Sequence, residues 1–176
     1  TGELLHEDKC KFRGWVYPDL IMENFIGSTS FPLLDRASVI KVGGFDVNMQ
    51  SAQDYDLWLR LCKEYKVDYV DEELGIYHVH NGEQITKNPD KKISGLSRLN
   101  QKNQEYLNQN KKASWFRTIK IAPFYAQKGE LKKGLNIWVK SIQICPLELK
   151  VNAKYLLYIF QYYMVFLKSK KNSASQ

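Results

Sequence analysis

Between Ser51 and Leu61 the chain reads SAQDYDLWLRL, and this stretch narrows the possible folds more than any other. Its apolar side chains return at intervals of three and four residues, the period of an α-helix that buries one face. Ser51 followed three residues later by Asp54 has the form of a capping box, so the helix should open there and run to about Tyr65. At helical spacing Asp54, Trp58, Leu61, Cys62 and Tyr65 share a face. Asp56 turns away from it and precedes Arg60 by four residues, an ion-pair spacing suited to the solvent side. The two carboxylates should therefore be unequal, with Asp54 heading the apolar stripe and Asp56 decorating the surface.

The flanking sequence is a succession of short elements. In GWVYPDLIMENFI, Pro18 can open a short helix; STSFPLL reads as extended; and Asp35 can cap another short helix from Arg36. VGGFD then breaks that helix, since Gly43 and Gly44 can take the positive φ a sharp exit needs, with Asp46 as a turn acceptor. Further on, VDYVDEELGIYHVH alternates well enough for one or two short strands. These would place Tyr77 and Val79 on one face, His78 and His80 on the other. NGEQITKNPD is loop, and Pro89 with Asp90 marks a boundary.

Charge divides the chain at the same place. Residues 1–92 carry 11 Lys/Arg against 16 Asp/Glu, whereas residues 93–176 carry 15 against 3. A sign change of that size suggests two domains with different neighbours, the second one anionic. The basic part reads as helical. Tyr125, Gly134, Trp138 and Pro146, with Ile121 and Ala122, fall at the spacings of one tetratricopeptide unit over about 115–148, although Pro123 is awkward inside its first helix. Residues Tyr155 to Leu167 are apolar or aromatic except Gln161, and KSKK follows. Thirteen residues fall short of the about 20 that span a bilayer, so this last helix should be either buried or interfacial. No glycine-rich loop, stacking-aromatic pattern or recognition helix accompanies the lysines, which argues against nucleic acid. Three scattered cysteines, Cys10, Cys62 and Cys145, offer neither a disulfide framework nor a zinc site and fit a reducing compartment. The chain starts at Thr1 without a charged-then-apolar leader and reads as the continuation of something upstream.

From FRGWVYPDLIMENFIGSTSF through DRASVIKVGGFDVNMQSAQDYDLWLRL to YHVHNGEQIT, the sequence resembles the second half of a family 2 glycosyltransferase catalytic domain of the GT-A type; GGFD followed by QDYDLWLRL is its most specific piece. The likeness extends over about residues 12–150, because KGELKKG and the proline after it resemble the helical extension of many bacterial members. It implies an α/β fold, a partial GT-A half-domain with few short strands over residues 1–92, followed by a mostly helical, tetratricopeptide-like extension over 93–176. It also implies an inverting transferase that uses a nucleotide-sugar donor, a glycan or lipid-linked acceptor and a divalent metal, Mg or Mn. Such an enzyme would make cell-surface polysaccharide in the cytoplasm, peripheral at the inner face of the membrane. By the same resemblance Asp54 is the general base, Gln53, Ser28, Thr29, Ser30 and Trp58 border the acceptor, and His80 helps hold the metal. The nucleotide-binding units and the Asp-x-Asp metal motif have no match, so a donor site is not expected in this chain alone. On spacing alone Asp54 is more simply a helix cap, Trp58 a core residue and His80 a strand-end histidine bonded to a carbonyl. The other reading of the whole chain is a non-catalytic module that docks on an anionic membrane or a protein.

Overall fold

The structure is a computed structural model and describes residues 11–72, 74 and 88–173. The described chain is 64% helical and contains no strand. It corrects the expectation of an α/β fold with a GT-A half-domain. Where alternation suggested a strand from residue 67 onward, the described part makes one isolated antiparallel bridge, Gly14 with Val67, closed by N–O distances of 2.7 and 2.9 Å. STSFPLL likewise forms no strand; it begins in a turn in which Phe31 N donates to Ser28 O. Period-two alternation is only a local preference, and without a neighbour to pair its backbone it forms no sheet.

Contacts group the described chain into two compact units. The first comprises residues 11–46 and 54–72 with 74, and the second comprises 47–53 and 88–173. Three helices serve the first: α1 (Tyr17–Leu20), α2 (Arg36–Lys41) and α3 (Gln53–Glu64), of which α3 starts on the last residue of the 47–53 segment. Pro18 stands in the first turn of α1, where its missing N–H costs nothing. Asp35 caps α2 by accepting from Ser38 N at 2.7 Å and Ser38 Oγ at 2.7 Å, and these bonds hold its carboxyl below the usual range. The unit is organised by α3, which buries Tyr55, Asp56, Leu57, Trp58, Leu59, Leu61 and Cys62. Burial thus extends beyond the single apolar stripe that its spacing implies.

The second unit is all helix: α4 (Pro89–Lys102), α5 (Gln104–Gln109), α6 (Lys111–Ile119), α7 (Ala122–Gln127), α8 (Leu131–Ile144) and α9 (Leu149–Ser173). The awkward Pro123 is accommodated by a break between α6 and α7, which places it in the first turn of α7. α7 and α8 form a helical hairpin about Gly129, whose φ is +91°. Gly134 lets α8 approach so closely that a Cβ there would lie 2.8 Å from the Ala122 carbonyl oxygen. Ala122, Ala126 and Ile159 form the core of this packing, with Leu135, Trp138 and Tyr162 against them. A buried asparagine ties three helices together. Asn152 Oδ1 accepts from Trp115 Nε1 at 2.9 Å, its carbonyl accepts from Trp138 Nε1 at 2.8 Å, and its Nδ2 donates to Cys145 O at 3.2 Å.

Candidate active site

The two aspartates at the head of α3 differ in a way opposite to the reading from spacing. Asp56, expected at the surface, is 1% exposed. Its Oδ2 accepts from Arg60 Nε at 2.9 Å and from Arg60 Nη2 at 2.7 Å. A carboxylate can be buried this deeply only when it is paired and hydrogen-bonded, and the arginine four residues on comes in with it. The remaining guanidinium donors reach the glycine loop: Nη1 donates to Val42 O at 2.5 Å and Nη2 to Gly44 O at 2.6 Å. Gly43 and Gly44, at φ +87° and +63°, turn the chain so that those carbonyls face the arginine. Arg60 is thus a clamp between GGFD and QDYDLWLRL rather than a helix-surface residue.

Asp54 is half-buried, and among the described residues no cation pairs with it. Its Oδ1 accepts from Tyr55 N at 2.7 Å. Ser51, expected to cap the helix, does something else: its hydroxyl donates to Lys91 O at 2.7 Å within the second unit. Gly95 of α4 makes room for this, since a Cβ there would lie 2.5 Å from the Ser51 carbonyl oxygen. Between Ser51 and Gln53, Ala52 adopts φ +59°, a left-handed conformation that few residues with a side chain take. Gln53 is half-buried and its Nε2 donates to Met49 O at 3.1 Å.

Trp58 is 1% exposed, so its ring is not a wall for a sugar as the resemblance implied. It acts from behind. Its Nε1 donates to Gly27 O at 3.0 Å and so ties α3 to the loop of Ser28, Thr29 and Ser30. Asn24 grips the same turn, with Gly27 N donating to Asn24 Oδ1 at 3.2 Å. Ser28 is half-buried, its Oγ accepting from Ser30 N at 3.4 Å, and Thr29 and Ser30 are exposed. Tyr55 adds a third tether, its hydroxyl donating to Leu20 O at 2.6 Å and Ile21 O at 3.2 Å. Within about one and a half turns of α3, Tyr55, Trp58 and Arg60 therefore reach backbone carbonyls at the end of α1, at Gly27 and in the glycine loop. None of these acceptors can be found from sequence, because carbonyls carry no residue identity.

His80 and its neighbour His78 lie outside the described residues. Among the described residues no three His, Cys, Asp or Glu side chains come together as a metal ion would need. They do not by themselves fit the Mg or Mn that the resemblance implies, and no chemical step is assigned to a metal. Cys62, beside this site on α3, is buried, which pushes its thiol up to about 11 and leaves it protonated and inert at neutral pH.

Comparison with known proteins places this chain near one activity. A stretch of 63 residues, 35% of the chain, is 41% identical to the Escherichia coli (strain K12) protein named "Putative colanic acid biosynthesis glycosyl transferase WcaA". The similarity is to a glycosyltransferase. It spans 22% of that protein's length. No family model matches the chain, and no solved structure matches it.

Proposed function

We propose that the chain supplies the acceptor-activating part of a glycosyltransferase, of family 2 by its GGFD and QDYDLWLRL motifs, which moves a sugar from a nucleotide-activated donor to an acceptor hydroxyl with inversion. The observation that carries this is the contrast within one motif. Asp56 is sealed and ion-paired with Arg60, while Asp54, two residues earlier, is half-buried and has no cation partner among the described residues. Inverting transfer needs one carboxylate that removes the acceptor proton as the oxygen attacks the anomeric carbon and the nucleoside diphosphate leaves on the opposite side. Asp54 is that base.

On this reading Gln53 and the hydroxyls of Ser28, Thr29 and Ser30 are acceptor-binding groups, and Trp58 fixes the 28–30 loop from the core. The similarity to a named glycosyltransferase supports the reaction class. The test is transfer from nucleotide-sugar donors by the full-length protein carrying Asp54→Asn. Turnover should fall by about 10²–10⁴-fold, the usual share of a general base, with the circular dichroism spectrum and melting temperature unchanged. Turnover at the unmodified rate would refute the assignment.

A further inference from the structure

The last helix of the second unit has two unlike faces. Inward, Asn152 and Ile159 are buried and Tyr162 and Tyr163 pack against the α7–α8 core. Outward, Leu157, Phe160, Met164, Val165 and Leu167 stand 56%, 47%, 54%, 61% and 41% exposed. At 100° per residue these five fall within one side of the helix and make an apolar patch about 15 Å long. The same side carries Lys150 and Lys154 before the patch and Lys168 and Lys171 after it, all exposed. From Leu149 to Ser173 there are five lysines and no Asp or Glu. Elsewhere in the unit Glu130 is engaged by Lys128 and Lys133, Asp90 by Lys128 and Glu148 by Lys112. Among the described residues no helix is long and apolar enough to cross a membrane.

We propose that this outward face of α9 is a docking surface for an anionic lipid bilayer, on which the helix lies parallel to the membrane with its apolar patch among the acyl chains and its lysines at the headgroups. Charge complementarity selects this occupant over a second copy of the chain. Two identical faces would bring lysine-rich ends together, whereas acidic headgroups neutralise them while the bilayer interior takes up the leucine, phenylalanine and methionine. The proposal stands apart from the catalytic reading, since it uses no residue of α3 or the 28–30 loop.

Flotation of the 176-residue chain with vesicles tests it. Binding is expected to phosphatidylcholine vesicles containing phosphatidylserine, to weaken as salt is raised, and to be at background for phosphatidylcholine alone. Replacing Phe160 and Met164 together by serine should lower partitioning more than about tenfold, and Lys168→Gln about fivefold. All three side chains are exposed, so the fold should survive, and helicity by circular dichroism checks it. Absence of binding to phosphatidylserine vesicles at low salt would overturn the proposal. So would binding indifferent to F160S with M164S, which would mean charge attraction without insertion, or patch-dependent dimers with no vesicle binding.

Discussion

The two units are held together by different means. In the first, one helix is surrounded by irregular chain, and its side chains fix loops by reaching their carbonyls: Tyr55 to Leu20 and Ile21, Trp58 to Gly27, Arg60 to Val42 and Gly44. In the second, helices pack closely through small residues, Gly134 of α8 on Ala122 of α7 and Gly95 of α4 on the backbone of Ser51, with Asn152 serving Trp115 and Trp138. Directed tethers set the position of a loop to within a hydrogen bond, while close-packed helices set a surface. The candidate catalytic carboxylate is found with the first arrangement and the candidate membrane face with the second.

This contrast can be broken from either side. Arg60→Ala should have the largest effect, because it leaves Asp56 buried and unpaired and frees the glycine loop. We expect a loss of about 3–5 kcal/mol in urea unfolding, and Arg60→Lys should recover only part of it, since an ammonium lacks the planar fork that serves three acceptors. A change near zero would mean that the clamp is not what holds the first unit. Next, Gly134→Val drives a side chain into the Ala122 carbonyl and should cost about 1–3 kcal/mol, read as a lower melting temperature without any effect on the environment of Trp58. Asn152→Leu removes the acceptor of the buried Trp115 indole N–H and the donor to the Cys145 carbonyl, while the backbone acceptor of Trp138 stays, and should cost about 1–3 kcal/mol, again confined to the second unit.

The smallest expected effect is on alkaline stability. Burial raises the Cys62 thiol from an ordinary value of 9.0 to about 11. The unfolded chain therefore gives up its proton first, and stability declines as pH rises from about 9 to about 11. Below that window the contribution is complete. Cys62→Ala should remove this slope, and an unchanged alkaline slope in that variant would show that the thiol is not its source.

Much of the helical skeleton was legible in sequence. Pro18, the Asp35 cap, the extent of α3 to within a residue or two and the breaking role of Gly43 and Gly44 follow from local chemistry that acts within a turn. The error over Asp56 has a physical origin. An aspartate four residues before an arginine reads the same whether the pair is solvated or enclosed, and only the surrounding chain decides. Ser51 misled for a related reason, as its hydroxyl prefers the Lys91 carbonyl, 40 residues away, to the helix end beside it. Alternation at 67–72 suggested a strand because nothing local signals that no partner will come. Asn152 reads in sequence as one polar residue before an apolar run, and only the packing of α6 and α8 against α9 gives its amide and carbonyl two indole partners. The joint presence of GGFD and QDYDLWLRL gains a mechanical account: the second motif's arginine holds the carbonyls that the first motif's glycines turn toward it.

The enclosed tryptophans also give the protein built-in optical probes. Trp58 in one unit and Trp115 in the other are each about 1% exposed with the indole N–H committed to an oxygen, so both should emit toward the blue and shift red on contact with water. Once Trp15 and Trp138 are replaced by phenylalanine, removing either of this pair leaves the other as a local reporter, and the melting of each unit can then be followed by its own colour in the intact chain.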